Sequence, residues 1–293
     1  MRIRLENHGL AYFRTERHGL PSFRQSHGQS HRPIKSLGQN FLVDQNITRK
    51  IIETLDLQPS DAVFEIGAGQ GELTSLIAPK VSSLCALEID RRLYPILIER
   101  FKIYDNVNII NRDILKCDLI KLADEYGIKG KIKVFGNIPY YISSPIIERL
   151  INYRKVIKEA FITVQKEFAR RVVSDPGSKE YGSFSCFVQY YAIPKIVFQI
   201  NRGCFYPVPK VDSCLLHLKF REKPAVSVKE EELLFKVIRG AFNQRRKTLR
   251  NSLKDIIQSD KLEEFLFKNG LNLNIRPEDL SLAEFAKLTN TLN

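Results

Sequence analysis

Short apolar runs at residues 62–66, 84–89, 107–110, 133–135 and 161–164 recur along this chain, and helix-like stretches separate several of them. That alternation constrains the fold more than any other feature. A strand, a helix and a second strand place the strands parallel, and a parallel sheet is covered on both faces. Two further runs, 196–200 and 214–220, are separated by the proline-punctuated FYPVPK. No helix fits between them, so the second is expected to be an antiparallel hairpin partner. Asp44 is placed to cap a helix whose Ile47, Ile51, Ile52 and Leu55 share one face, and Ser143 to cap one over 145–153. Beyond Lys223-Pro224, Leu233, Leu234, Val237, Ile238, Ala241 and Phe242 keep helical spacing, and two or three helices follow, interrupted near Asn269-Gly270. The expectation is an α/β domain over 35–222 with a small all-helical domain over 223–293.

Residues 1–34 stand apart from this pattern. Six Arg, four His and no Lys lie within residues 1–32, with no sustained hydrophobic period. They read as a mobile basic arm. A transit peptide is the alternative, against which Glu6 and Glu16 count, and a start codon placed too far upstream is a third. No stretch approaches the ~18 apolar residues of a membrane span, and no apolar signal core opens the chain, so a soluble cytoplasmic protein is expected. With 46 basic against 33 acidic residues, the net charge of +13 favours a polyanionic partner. Cys85, Cys117, Cys186, Cys204 and Cys214 include no CxxC pair, and His217 is the one histidine outside the N-terminal tail. That spacing builds neither a metal site nor a disulfide framework.

The run 62–66 leads into Gly67-Ala68-Gly69-Gln70-Gly71 and then Glu72-Leu73-Thr74, which reads as a helix start. Glycines let a backbone turn tightly and approach a ligand closely. Glu88 ends the next strand, 17 residues after Gly71, where an acid accepts hydrogen bonds from ribose hydroxyls, and Asp113 follows the third strand. Three such features at the ends of consecutive parallel strands are where an open α/β sheet binds its ligand. The loop is GxGxG rather than GxGxxG and lacks a pyrophosphate fingerprint. Glu65, Glu88 and Asp113 suit a ligand with cationic groups, such as S-adenosylmethionine, better than a dinucleotide.

Asn137-Ile138-Pro139-Tyr140 follows the run 133–135 directly. Pro139 pushes Ile138 toward extended geometry and removes one backbone donor. The Ile138 carbonyl then stands beside the Asn137 amide oxygen, two acceptors matched to the two hydrogens of an adenine amine. Tyr140 offers a face for the base to stack on. On the residues alone, an Asx turn for Asn137 and core positions for Tyr140 and Phe205 stay open.

Asn-Ile-Pro-Tyr resembles the loop of methyltransferases acting on amino groups of nucleic acids. Together with the 36–42 stretch SLGQNFL, the chain is similar to ribosomal RNA adenine dimethyltransferases of the KsgA kind. Further matching stretches are 164–167, 178–182, 205–213 and 244–249, and the likeness runs from about residue 35 to the C-terminus. It implies a Rossmann-like class I methyltransferase sheet using S-adenosyl-L-methionine, monomeric and without metal, acting on small-subunit ribosomal RNA in an assembling subunit. It also implies that Asn40 and Leu42 fold over the cofactor, that Gly67 and Gly69 approach it, that Glu88 holds the ribose and Asp113 the adenine amine. Asn137 would sit between cofactor and target, with Ile138 and Pro139 in the catalytic loop and Phe205 opposite Tyr140 as a second aromatic wall.

The reaction so implied is direct methyl transfer to N6, which needs no strong general base and depends on positioning. Arg245, Arg246, Lys247, Arg250 and Lys254 read as a basic cluster on a C-terminal helix that contacts phosphates, with Arg170 and Arg171 as an extension and a solvated face as the alternative. Three rival functions remain. One is a large-subunit adenine methyltransferase of the antibiotic-resistance type, one a non-catalytic RNA-binding assembly factor, and one a nucleotide-dependent oxidoreductase.

Overall fold

The structure is a computed structural model that describes residues 32–244 and 247–292. The expected arm lies almost wholly outside the described residues. Residues 34–293 form one compact unit. Its elements run in order as β1 (Phe41–Leu42), α1 (Gln45–Thr54), β2 (Ala62–Ile66), α2 (Glu72–Ile77), β3 (Ser83–Leu87), α3 (Tyr94–Phe101), β4 (Val107–Ile110), α4 (Leu119–Glu125) and β5 (Ile132–Asn137). They continue as α5 (Ser143–Asn152), β6 (Ile157–Gln165), α6 (Lys166–Val173), α7 (Ser183–Tyr191), β7 (Ala192–Ile200), β8 (Phe205–Tyr206) and β9 (Ser213–Phe220). Four helices close the chain: α8 (Glu231–Phe242), α9 (Leu249–Leu253), α10 (Ser259–Lys268) and α11 (Leu282–Asn290).

The main sheet has seven strands in the order β4-β3-β2-β5-β6-β9-β7. The first five are parallel, as the alternation of runs and helices dictates. β9 pairs antiparallel with β7, the expected hairpin, and also antiparallel with β6. Its insertion between them carries no local signal: β9 is buried on both faces and so reads only as an apolar run. β7 begins earlier than its apolar run, at Ala192, and includes Pro194. Lying at the sheet edge, it tolerates a residue that cannot donate to the ladder.

Asp44 caps α1 as its sequence position suggests, accepting from the Asn46 and Ile47 amides at 2.8 and 3.0 Å. Ser143 does not cap α5. It is the first helical residue, and its hydroxyl is buried without a partner among the described residues. In the C-terminal helices, Leu234, Val237 and Ile238 are buried in the same cluster as Ile162 of β6 and Leu216 of β9. One continuous core therefore joins the helical segment to the sheet.

At the amino ends of the strands stands a group that the apolar pattern conceals. Lys133, only 5% exposed, donates to the Leu55 and Asp56 carbonyls at 3.1 and 2.7 Å and pairs with Asp61 at 2.9 Å. Glu159 lies 3.7 Å away, and its carboxyl is held below its ordinary range first by a 2.9 Å hydrogen bond to His217. His217 in turn stacks on Phe161 with centroids 4.3 Å apart. Removing the cation would strand Asp61 and Glu159 and two carbonyls. Lys133→Met is expected to lower unfolding stability by about 3–5 kcal/mol, read from urea midpoints at neutral pH.

Candidate active site

The carboxyl ends of β2 to β6 form one edge, where doubly wound sheets bind ligands. β2 ends in the glycine turn. The Gly67 amide bonds the Leu87 carbonyl of β3 at 2.8 Å. The Gly69 amide donates to Glu88 Oε2 at 2.7 Å, and the Asp90 amide donates to Glu88 Oε1 at 2.8 Å. Both oxygens of Glu88 are thus aimed by backbone donors, while burial raises its pKa. Asp113 spends Oδ1 on the Leu115 amide at 2.9 Å, which fixes its side chain at the end of β4. Gly67 and Gly69 both have positive φ, 78° and 58°. A side chain at Gly67 would stand 3.4 Å from the Asn137 carbonyl oxygen, and one at Gly69 would stand 3.2 Å from the Phe41 ring. Both glycines keep this floor open.

Glu65 departs from the sequence expectation. It does not face a ligand: it is 1% exposed and accepts the Thr74 hydroxyl at 2.6 Å. Burial pushes its pKa up to about 8, so at neutral pH it is a protonated core residue. A carboxyl raised from 4.5 toward 8 makes the fold progressively less stable as pH climbs through that window. Wild type is therefore expected to lose roughly 2 kcal/mol more than Glu65→Gln between about pH 5.5 and about pH 7.5. Paired urea titrations would measure this, and parallel curves for the two proteins would contradict it.

Over the floor runs residues 34–42, a strap that joins three strand ends. Gln39 accepts from the Ile34 amide at 2.8 Å and donates to Asp90 at 3.0 Å. The Asn40 carbonyl accepts from Asn137 Nδ2 at 3.0 Å. β1 pairs antiparallel with β8, Phe41 opposite Tyr206 and Leu42 opposite Phe205. One N–H of the Asn137 amide holds the strap, and its Oδ1, which accepts no hydrogen bond among the described residues, is the acceptor offered to a ligand. Ile138 is buried, and Tyr140 donates or accepts a 2.6 Å hydrogen bond with Ser213 Oγ.

Beside these residues opens a cleft of about 420 Å³ lined by Gly38, Asn40, Tyr140, Tyr141 and Gln165. Two of the expected site residues have buried side chains. Phe205 is 2% exposed and packs in one apolar cluster with Leu42, Phe135 and Phe161. Across the β1–β8 pair it stands opposite Leu42. The Leu42 side chain joins the same cluster, which leaves only its backbone to meet a ligand. Conversely, Tyr141, Gln165 and the Gln39–Asp90 bond were not singled out as site features. Tyr141 is 65% exposed at the cleft. The signal for it was its place beside Tyr140, whereas Gln165 is recognisable only once β6 is known to end at the cleft.

The basic cluster is only partly described. Arg245 and Arg246 lie outside the described residues. Lys247 precedes α9 instead of lying on a helix, because Thr248 caps α9 and starts it at Leu249. Arg250 is exposed but already bonded to Ser259 at 3.0 Å and Glu263 at 2.8 Å. Among the described residues no group of three His, Cys, Asp or Glu side chains could hold a metal ion, and no helix is long and apolar enough to cross a membrane.

A parallel sheet closed by an inserted antiparallel strand, with a glycine turn and acids at its carboxyl edge, is the fold of a class I methyltransferase. The structure is similar to the crystal structure of the 23S rRNA methyltransferase ErmE, with TM-score 0.70 and 26% identity over 86% of this chain and 99% of that one. It is equally similar, at TM-score 0.70 and 26% identity, to a dimethyladenosine transferase from Plasmodium falciparum, covering 85% and 95% of the two chains. Residues 30–293 match the family model for ribosomal RNA adenine dimethylase. The chain belongs to that family. It is 44% identical over 259 residues to the ribosomal RNA small subunit methyltransferase A of Caldanaerobacter subterraneus subsp. tengcongensis, spanning 88% of this chain and 96% of that protein. The protein of the same name from Streptococcus gordonii is 43% identical, spanning 88% and 91%.

Proposed function

We propose that this protein dimethylates N6 of adenine in small-subunit ribosomal RNA with S-adenosylmethionine, acting as a cytoplasmic monomer on an assembling subunit. Relatives named for the small subunit share 41–44% identity with the chain, against 26% for the 23S enzyme ErmE, and this favours the small-subunit substrate. The observation that carries the chemistry is the Asn137–Asn40 hydrogen bond, which leaves the Asn137 side-chain Oδ1 for an incoming amine.

The floor fits the cofactor. Gly67 and Gly69 leave room for it, Glu88 would hold ribose hydroxyls and Asp113 an adenine amine, and Asn40 with the Leu42 backbone would cover it. When bound, S-adenosylmethionine supplies a methyl group on a positively charged sulfur. Everything else falls to the chain. The Asn137 oxygen and Ile138 carbonyl accept the target amine's hydrogens and hold its nitrogen with the lone pair turned toward the methyl group. Tyr140 stacks on the target base, and its own hydroxyl is fixed by Ser213. Flipping the adenine from its stack costs a few kcal/mol, which stacking and these hydrogen bonds offset. Residues 35–222 would do this work, and residues 223–293 would hold RNA phosphates through Arg245, Arg246, Lys247 and Arg250. Arg250 would have to exchange its Glu263 partner for phosphate.

Asn137→Ala should leave cofactor affinity within a small factor yet raise the barrier by about 3 kcal/mol, a hundredfold or more in rate. Tyr140→Ala should weaken base capture by ~1–3 kcal/mol. Small subunits lacking the modification would be incubated with each variant, and mono- and dimethyladenosine quantified by mass spectrometry. Near-normal dimethylation by Asn137→Ala would sink the mechanism, and product found only in large-subunit RNA would overturn the substrate. Glu88→Ala should reduce affinity for S-adenosylmethionine about tenfold to a hundredfold, the loss expected of hydrogen bonds to a charged group. Calorimetry on the folded variant would measure it, and unchanged affinity would remove Glu88 from the site.

A further inference from the structure

The cleft wall carries a polar group to which the proposed reaction gives no task. Gln165 ends β6 and lines the cleft. Its side-chain amide makes no hydrogen bond among the described residues. Strand register fixes where it stands. β5 and β6 run parallel with Asn137 opposite Thr163. Gln165, two residues on, therefore projects from the same face, about 7 Å further along the strand. On its other side it lies opposite Ser213 of β9, whose hydroxyl bonds Tyr140. Gln165 is flanked by the amide that accepts the target amine and by the ring that stacks on the target base.

The neighbouring polar groups each already make one hydrogen bond, whereas the Gln165 amide keeps both of its donors. Asn137 Nδ2 is on the Asn40 carbonyl, Asn40 Nδ2 is on the Gly38 carbonyl at 3.3 Å, and the Tyr140 hydroxyl is on Ser213. An adenine whose amine is held by Asn137 and Ile138 still presents ring nitrogens N1 and N7, acceptors on either side of that amine. Leaving water, such an acceptor needs a new donor or costs free energy. A glutamine amide has two N–H donors in a plane and is well matched to an adenine edge. We infer that Gln165 is a specificity-determining residue that donates a hydrogen bond to a ring nitrogen beside the target N6. Donor and acceptors on one base edge admit adenine and reject a base with a carbonyl at position 6. This assignment rests on the adenine reading above.

The test uses small subunits reconstituted with RNA that carries adenosine, 1-deazaadenosine or 7-deazaadenosine at the target position. Each is methylated by wild type, Gln165→Ala and Gln165→Met, the last preserving bulk. On adenosine, kcat/KM should fall about fivefold to tenfold in both variants, as for loss of one neutral hydrogen bond. On one deaza substrate wild type should itself be impaired, and the substitutions should then cost less than twofold more, because the partner atom is gone. Which analogue behaves so identifies N1 or N7. Wild-type activity of Gln165→Met on adenosine, or an undiminished loss on both analogues, would overturn the assignment. Should Gln165→Ala fail to bind S-adenosylmethionine normally, the Gln165→Met series decides alone. If wild type makes no dimethyladenosine on the adenosine substrate, the reaction reading fails, and this assignment with it.

Discussion

The hydrogen bond from Asn137 Nδ2 to the Asn40 carbonyl ties the strap to the catalytic loop, and the site's geometry depends on it. A parallel sheet presents its carboxyl edge to solvent, and a segment crossing that edge has no ladder of its own to hold it. Here the crossing segment includes a strand of only two residues, β1. Its anchors are the β8 pairing, the Gln39–Asp90 bond and the Asn40–Asn137 bond. The last of these has a second consequence. It orients a side-chain amide that could otherwise present either end, and so leaves the amide oxygen as an acceptor for a ligand.

Charge is divided between the two ends of the sheet. At the carboxyl end, Glu88, Asp90 and Asp113 are oriented by backbone amides, and Asp90 is held at about 2, first by its hydrogen bond to Arg92. At the amino end, Lys133 gathers two carbonyls and two carboxylates into a compact buried cluster. Between them Glu65 is kept neutral by burial. Among the described residues no cation pairs with a charged carboxylate there, whereas a protonated one shares a hydrogen bond with Thr74.

Much of this was legible in residues. The parallel strands followed from the alternation of runs, and Asp44 and the Gly67–Gly71 turn sit where their sequence context put them. Glu88 directly follows β3, and Asp113 follows β4 as expected. The sequence leaves open how far each side chain is buried, and Glu65, Phe205 and Leu42 are buried by segments remote in sequence. Phe205 pairs with Leu42 across β1 and β8, and both side chains lie in one apolar cluster. Packing around β2 encloses Glu65, and α5 begins at Ser143 itself, where the cap was expected.

The sequence by itself determined the class of fold, the order of its elements and the chemical identity of the loop, because periodicity, glycine turns and proline act over a few residues. Only the tertiary structure decided that β9 would enter between β6 and β7, that the strap would close on Asn137, and that Gln165 would reach the cleft. Those are pairings between segments far apart in the chain. Their free energy comes from burying surfaces and satisfying backbone groups that no local stretch of sequence contains.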